Sequence, residues 1–136
     1  MIVDTNIIIR ILQGDTRAIE KVAELESRHV DLNVSAVTVF ELYHSLERVN
    51  NPSERLAHVE DVLESKPIYS ADDAVMKKAG RIDGRLSANG EEIGMSDTII
   101  GATALIHEEP VLTENVSHFE RIDGLSIETY QQDTES

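Results

Sequence analysis

Five short apolar runs punctuate the chain: Met1-Ile-Val-Asp4, Leu32-Asn-Val-Ser35, Pro67-Ile-Tyr-Ser70, Pro110-Val-Leu-Thr113 and Leu125-Ser-Ile-Glu128. Runs this short, rich in Ile and Val, read as buried strands. Most of the chain between them repeats its apolar residues at helical spacing, as in Ile19, Val22, Ala23 and Leu25 of the stretch from Thr16 to Arg28. The same periodicity predicts helices over Ile7 to Leu12, stopped by Gly14, over Val37 to Val49, and over Pro52 to Glu64. A longer one spans Ala71 to about Ala88, with Ser70 as its expected N-cap and Asn89-Gly90 as the turn after it. Ser96 is the expected cap of a further helix whose body, Ile99 to Ile106, is apolar almost all round and therefore buried. Strands alternating with helices predict an α/β fold, a three-layer α/β/α domain around a central, mostly parallel sheet of about five short strands.

At 136 residues the chain is expected to form one domain over residues 1–130, with the polar residues 131–136 as a disordered tail. Aromatic residues make up only 4%, so the core is aliphatic. The absence of cysteine excludes a disulfide scaffold, a thiol nucleophile and thiolate zinc sites. No apolar run approaches the roughly 18 residues of a membrane span, and Met1-Ile-Val-Asp4 lacks the basic start of a signal peptide. The expected location is the cytoplasm, with no membrane partner. Twenty-six acids against twelve bases leave a net charge of −14, a field that repels nucleic acid at low salt. Two readings follow. Either the partner is not a polyanion, or the protein works in a salt-rich cytoplasm, where a Debye length of ~3 Å at 1 M removes the repulsion.

Ligands of parallel α/β sheets bind beyond the carboxyl ends of the strands. Asp4, Glu41, Asp97, Glu114 and Asn115 are the reactive groups expected there, with no Lys or Arg among them. Each has a plainer explanation. Asp4 can be an N-cap, Thr38-Val-Phe-Glu41 matches a capping box, Asp97 complements a helix N-terminus, and Asn115 is an ordinary turn residue. Taken together they point elsewhere. Three carboxylates at one sheet edge repel by ~1–4 kcal/mol per pair at 4 Å, a cost that a divalent, oxygen-seeking cation such as Mg²⁺ or Mn²⁺ offsets.

Asp4-Thr-Asn6, Thr38-x-x-Glu41-Leu42, Gly94-x-Ser-Asp97-x-Ile-Ile100-x-Ala102, Leu112-Thr-x-Asn115-x-x-His118-Phe119 and Ile122-x-Gly-Leu125 resemble, in order and spacing, the PIN domain, in particular the VapC-type toxins of toxin–antitoxin pairs. The resemblance runs from Ile2 to about Tyr130. It implies a Mg²⁺-dependent (or Mn²⁺-dependent) endoribonuclease with Asp4, Glu41 and Asp97 as its invariant acids, an RNA substrate, a VapB-type antitoxin and a homodimer. Where many relatives carry a fourth acid this chain has Asn115, which removes one charge. In the implied mechanism Asp4 and Asp97 hold the cation and Glu41 completes the pocket or orients the attacking water. Thr5, Asn6 and Thr113 orient the carboxylates from behind, although all three are also ordinary cap or turn residues.

Lys77, Lys78, Arg81 and Arg85 place four of the twelve bases on one helix, either as an RNA or antitoxin contact or as a solvated face. Gly80 and Gly84 on that helix suggest close packing against another element. The surplus of aliphatics from Ile7 to Leu12 suggests a second cover, a dimer mate or an antitoxin helix, or a deep core position. The five histidines have no metal-ligand spacing and read as surface or structural, and nucleotide-binding glycine loops are absent. Two other classes compete. A receiver-like signalling module also carries acids after its first strand, but it needs an acceptor Asp after strand three and a Lys after strand five, and Ser70-Ala71 stands at the first of these places. A catalytically degenerate PIN domain that binds RNA or a protein without cutting is kept open by Asn115.

Overall fold

The computed structural model describes residues 1–130; the tail expected at 131–136 lies outside the described residues. Five two-residue strands, β1 (Ile2–Val3), β2 (Val34–Ser35), β3 (Ile68–Tyr69), β4 (Val111–Leu112) and β5 (Ile127–Glu128), alternate with helices. The helices are α1 (Thr5–Leu12), α2 (Thr16–Ser27), α3 (Ala36–Ser45), α4 (Pro52–Glu64), α5 (Asp73–Ala88), α6 (Met95–His107) and the single turn α7 (Val116–Phe119). β4 pairs in parallel with β1 on one side and β5 on the other, and β2 pairs in parallel with β3. A parallel bridge from Ile2 to Asn33, with Val3 N–H donating to Asn33 O at 2.9 Å, joins the two halves. The spatial order is therefore β3-β2-β1-β4-β5.

Alternation along these strands builds two cores. Ile2 and Val111 face α5, α6, Phe119 and Ile122, while Val3 and Leu112 face α1, α2, Leu42 of α3 and Val59 of α4. Each wholly buried Ile or Leu contributes roughly 1.5–3 kcal/mol, and with helices on both faces the sheet makes three layers. The aliphatic surplus of α1 is mostly absorbed here: Ile7 and Ile8 are fully buried, and Ile9, Ile11 and Leu12 pack half-buried against the second core. Among the described residues no helix is long and apolar enough to cross a membrane.

Several local expectations are corrected. Asp72, not Ser70, caps α5, accepting from Val75 N–H at 3.0 Å, so the helix starts two residues later than the apolar pattern suggests. Ser35, not Thr38, caps α3 through Val37 N–H at 3.2 Å, so Thr38-x-x-Glu41 lies inside the helix and is no capping box. The helix predicted to Val49 tightens into a 3-10 turn at Leu46–Arg48. Gly94, at φ +95°, takes the N-cap position of α6 and Ser96 falls in its first turn. The close packing expected at Gly80 and Gly84 is absent, since a Cβ at either meets nothing within 4 Å. It occurs instead at Gly101, where a Cβ would collide with Ile122 Cδ1.

Candidate active site at the switch point of the sheet

The chain steps from β1 to β2 to β3 in one direction, then returns to lay β4 and β5 on the other side of β1. Such a reversal opens a crevice at the carboxyl ends of the two central strands. Asp4 ends β1 and Thr113 ends β4, and Thr113 Oγ1 donates to Asp4 Oδ2 at 2.7 Å across that crevice. Asp4 occupies the N-cap position of α1 without making a side-chain cap bond. Its side chain serves the crevice, not the helix.

Asp4 is 1% exposed. Burial pushes its carboxyl up to about 6, with the charges of Asp97 and Glu41 pushing the same way and the Thr113 hydroxyl opposing them. Asp97 and Glu41 are thus each within electrostatic reach of Asp4. Glu41, half-buried in the second turn of α3, accepts a hydrogen bond from Thr5 Oγ1 at 2.5 Å, and the Thr38 hydroxyl lies 2.8 Å from the same Thr5 oxygen. The sequence TNII after Asp4 and the sequence TVFE after Val37 interlock through these hydroxyls. Asp97, in the first turn of α6, presents Oδ2 to Asn115 Nδ2 at 3.2 Å and to His118 Nδ1 at 2.8 Å.

Thr5 and Thr113 therefore touch the acids they were expected to orient, whereas Asn6 is exposed on α1. Glu114 turns away, held by Arg10 Nε at 3.0 Å and by the Tyr130 hydroxyl. The histidine reading needs one correction, because His118 sits on Asp97. The signal for it was the three-residue step from Asn115, which places both side chains on one side of the turn after β4. Thr38, whose spacing from Glu41 matches a capping box, instead supports Thr5 through its hydroxyl. Lys77, Lys78, Arg81 and Arg85 are all exposed on α5, and none of them contacts Asp4, Glu41 or Asp97 through a described hydrogen bond or ion pair.

Among the described residues no three His, Cys, Asp or Glu side chains are grouped so as to hold a metal ion by themselves. Mg²⁺ does not require such a group, since it keeps several waters and is commonly held by one or two carboxylates. Asp4 and Asp97 fit that demand by chemistry. Both are oxygen donors, and Asp4 is a buried carboxylate beside two other acids, where a positive charge offsets desolvation and repulsion alike.

A parallel α/β domain with three acids and two hydroxyls gathered at its switch point has the layout of a PIN domain. The PIN domain profile matches residues 1–125, and the chain belongs to that family. Within it the chain is a VapC-type nuclease. It is 33% identical over 133 residues to Ribonuclease VapC1 of Rickettsia felis, covering 95% of both chains. It is 30% identical over 127 residues to Ribonuclease VapC2 of Haemophilus influenzae, covering 93% of this chain and 95% of that one. Among solved structures, DNA-bound VapBC from Salmonella typhimurium superimposes with a TM-score of 0.82 at 28% identity, covering 95% and 96% of the two chains.

Proposed function

We propose that this protein is a Mg²⁺- or Mn²⁺-dependent endoribonuclease, the toxic half of a toxin–antitoxin pair. Its partners in this reading are an RNA substrate, a VapB-type antitoxin and a second copy of itself, in a cytoplasm rich in salt. The observation that carries the reading is Asp4. An almost wholly buried carboxyl, raised to about 6 by burial and by two acidic neighbours, belongs to a site whose charge balance favours a cation.

Asp4 and Asp97 are the residues that would hold that cation. When bound it supplies charge neutralisation at the phosphate and lowers the pKa of water. Thr113 fixes Asp4, and Asn115 with His118 fixes Asp97 through a single oxygen, so each acid presents its other oxygen in a set direction. Glu41, steadied by Thr5, would complete the acidic pocket or orient the attacking water. The N-terminal ends of α1 and α6 aim their partial positive charges at the same crevice.

Millimolar Mn²⁺ or Mg²⁺ is expected to raise the melting temperature of the wild type, and Asp4→Asn or Asp97→Asn to abolish the rise; an unchanged melting curve would overturn the reading. The second reading, a PIN domain that binds without cutting, draws on Asn115, a neutral amide beside Asp97. Cleavage of a structured RNA by the isolated protein in high salt, lost in Glu41→Gln, excludes it.

A further inference from the structure

Lys78, Arg81, Arg85 and Arg121 are exposed, and none forms an ion pair among the described residues. Arg17, Arg48, Arg55 and Lys66 form no ion pair among the described residues either, so what sets these four apart is their grouping along one face, not the lack of a partner. Three of them, Lys78, Arg85 and Arg121, rim one groove of about 140 Å³ between α5 and the segment after α7, floored by Ile82, Leu105 and Ile122. Glu91 and Asp123 share the rim, so the groove is one base in excess, with Arg81 on the same face of α5 just outside it.

The groove is linked to the candidate active site through two of its lining residues, Arg121 and Ile122. Arg121 lies one turn beyond His118, to whose carbonyl its N–H donates at 3.2 Å, and His118 touches Asp97. Ile122 packs on Gly101, one helical turn (about 5 Å) along α6 from Asp97. Arg121 is itself held in place by donating from Nη1 to Glu91 O at 3.1 Å. A cationic rim above an apolar floor, one turn past the histidine that touches Asp97, suits an unstacked nucleotide: phosphate to the bases, ring to the aliphatic floor.

We infer that this groove is a second RNA subsite, gripping a nucleotide next to the one cut. The inference rests on the ribonuclease reading and adds to it where the substrate strand runs: off the acidic pocket, past His118, and along α5. Net repulsion from the −14 chain is overcome locally, where the phosphate meets a rim that carries one base more than it carries acids.

The test is fluorescence anisotropy of the full chain with a 5′-labelled RNA stem-loop in EDTA, where nothing is cut. The Lys78→Ala/Arg85→Ala double variant should bind about tenfold more weakly at 0.1 M salt. Its log K against log[salt] slope should be shallower by about 1.4, at roughly 0.7 per lost single-strand phosphate contact. Arg28→Ala, at the far end of α2, should bind as wild type does. Wild-type affinity in the double variant, or a loss with unchanged slope, overturns the subsite, as does a loss confined to antitoxin binding. Wild type that grips the RNA but never cuts it with Mn²⁺ added overturns the ribonuclease reading, while the salt slopes still decide whether the groove holds RNA. Arg121→Lys, which keeps the charge, should retain most of the affinity and guards against misfolding as the cause.

Discussion

At the scale of single residues, Asp4 carries the largest strain of function against stability. Its ordinary carboxyl value of 3.8 rises to about 6 in the fold. The folded state thus favours the protonated form, and this contribution to stability is complete below about pH 4 and lost as pH rises through 6. Above that the charged form destabilises the fold, by on the order of 3 kcal/mol for a shift of about two units. In EDTA at neutral pH, Asp4→Asn should therefore melt several degrees higher than wild type, and the gain should vanish near pH 4. Calorimetry across pH 4–8 checks both halves, and equal melting temperatures throughout would remove the reason for placing a cation there. His118 makes the complementary case. It grips the same oxygen of Asp97 that Asn115 does, so His118→Ala should leave Asp97 freer and weaken Mn²⁺ binding, read by titration calorimetry, by about 10–100-fold, the usual effect of losing a ligand's support.

Among the elements, the strands and the longer helices were legible from periodicity, because a two-sided sheet demands apolar runs and each helix buries one stripe. The acids at the carboxyl ends of β1 and ahead of β4 were legible for the same reason. The caps were not. Ser35, Asp72 and Gly94 displace Thr38, Ser70 and Ser96, because several residues near each terminus can accept the same backbone bonds and the choice is made by tertiary geometry. α7 is a single turn, too short for periodicity to register, and His118 was missed along with it. The glycines were misread in a way that mutation can score. Gly80 and Gly84 lie mid-helix with room for a Cβ, so Gly80→Ala and Gly84→Ala should each stabilise the protein by about 0.5–1 kcal/mol in denaturant titrations. Gly101→Ala should do the opposite. Its methyl would overlap Ile122 Cδ1, and relief requires Ile122 to move, at a cost of roughly 1–3 kcal/mol. Adding Ile122→Val, which removes that terminal carbon, should restore part of the loss.

For the molecule as a whole the governing quantity is charge. Twenty-six acids and twelve bases share 136 residues, and among the described ion pairs Lys77 with Asp73 at 3.3 Å and Arg28 with Glu24 at 3.5 Å are exposed on both sides and contribute little. Self-repulsion therefore opposes the compact state, and it is long-ranged at low salt: the Debye length is about 10 Å at 0.1 M and about 3 Å at 1 M. Raising KCl from 0.1 to 2 M should lift the melting temperature by several degrees, mostly below 1 M, where the screening length changes fastest. A neutral osmolyte matched in osmolality separates screening from general exclusion at the surface, because only the salt acts on charge. The same screening works on the approach of RNA, whose charge has the sign of the protein's own. Overall repulsion fades with salt faster than the few close contacts at the α5 groove, so cleavage should rise with KCl before it falls. Rates at fixed metal concentration across that series check this. A steady decline from the lowest salt upward would mean that the approach of RNA is not limited by repulsion, and that the acidic surface has no bearing on when the site is reached.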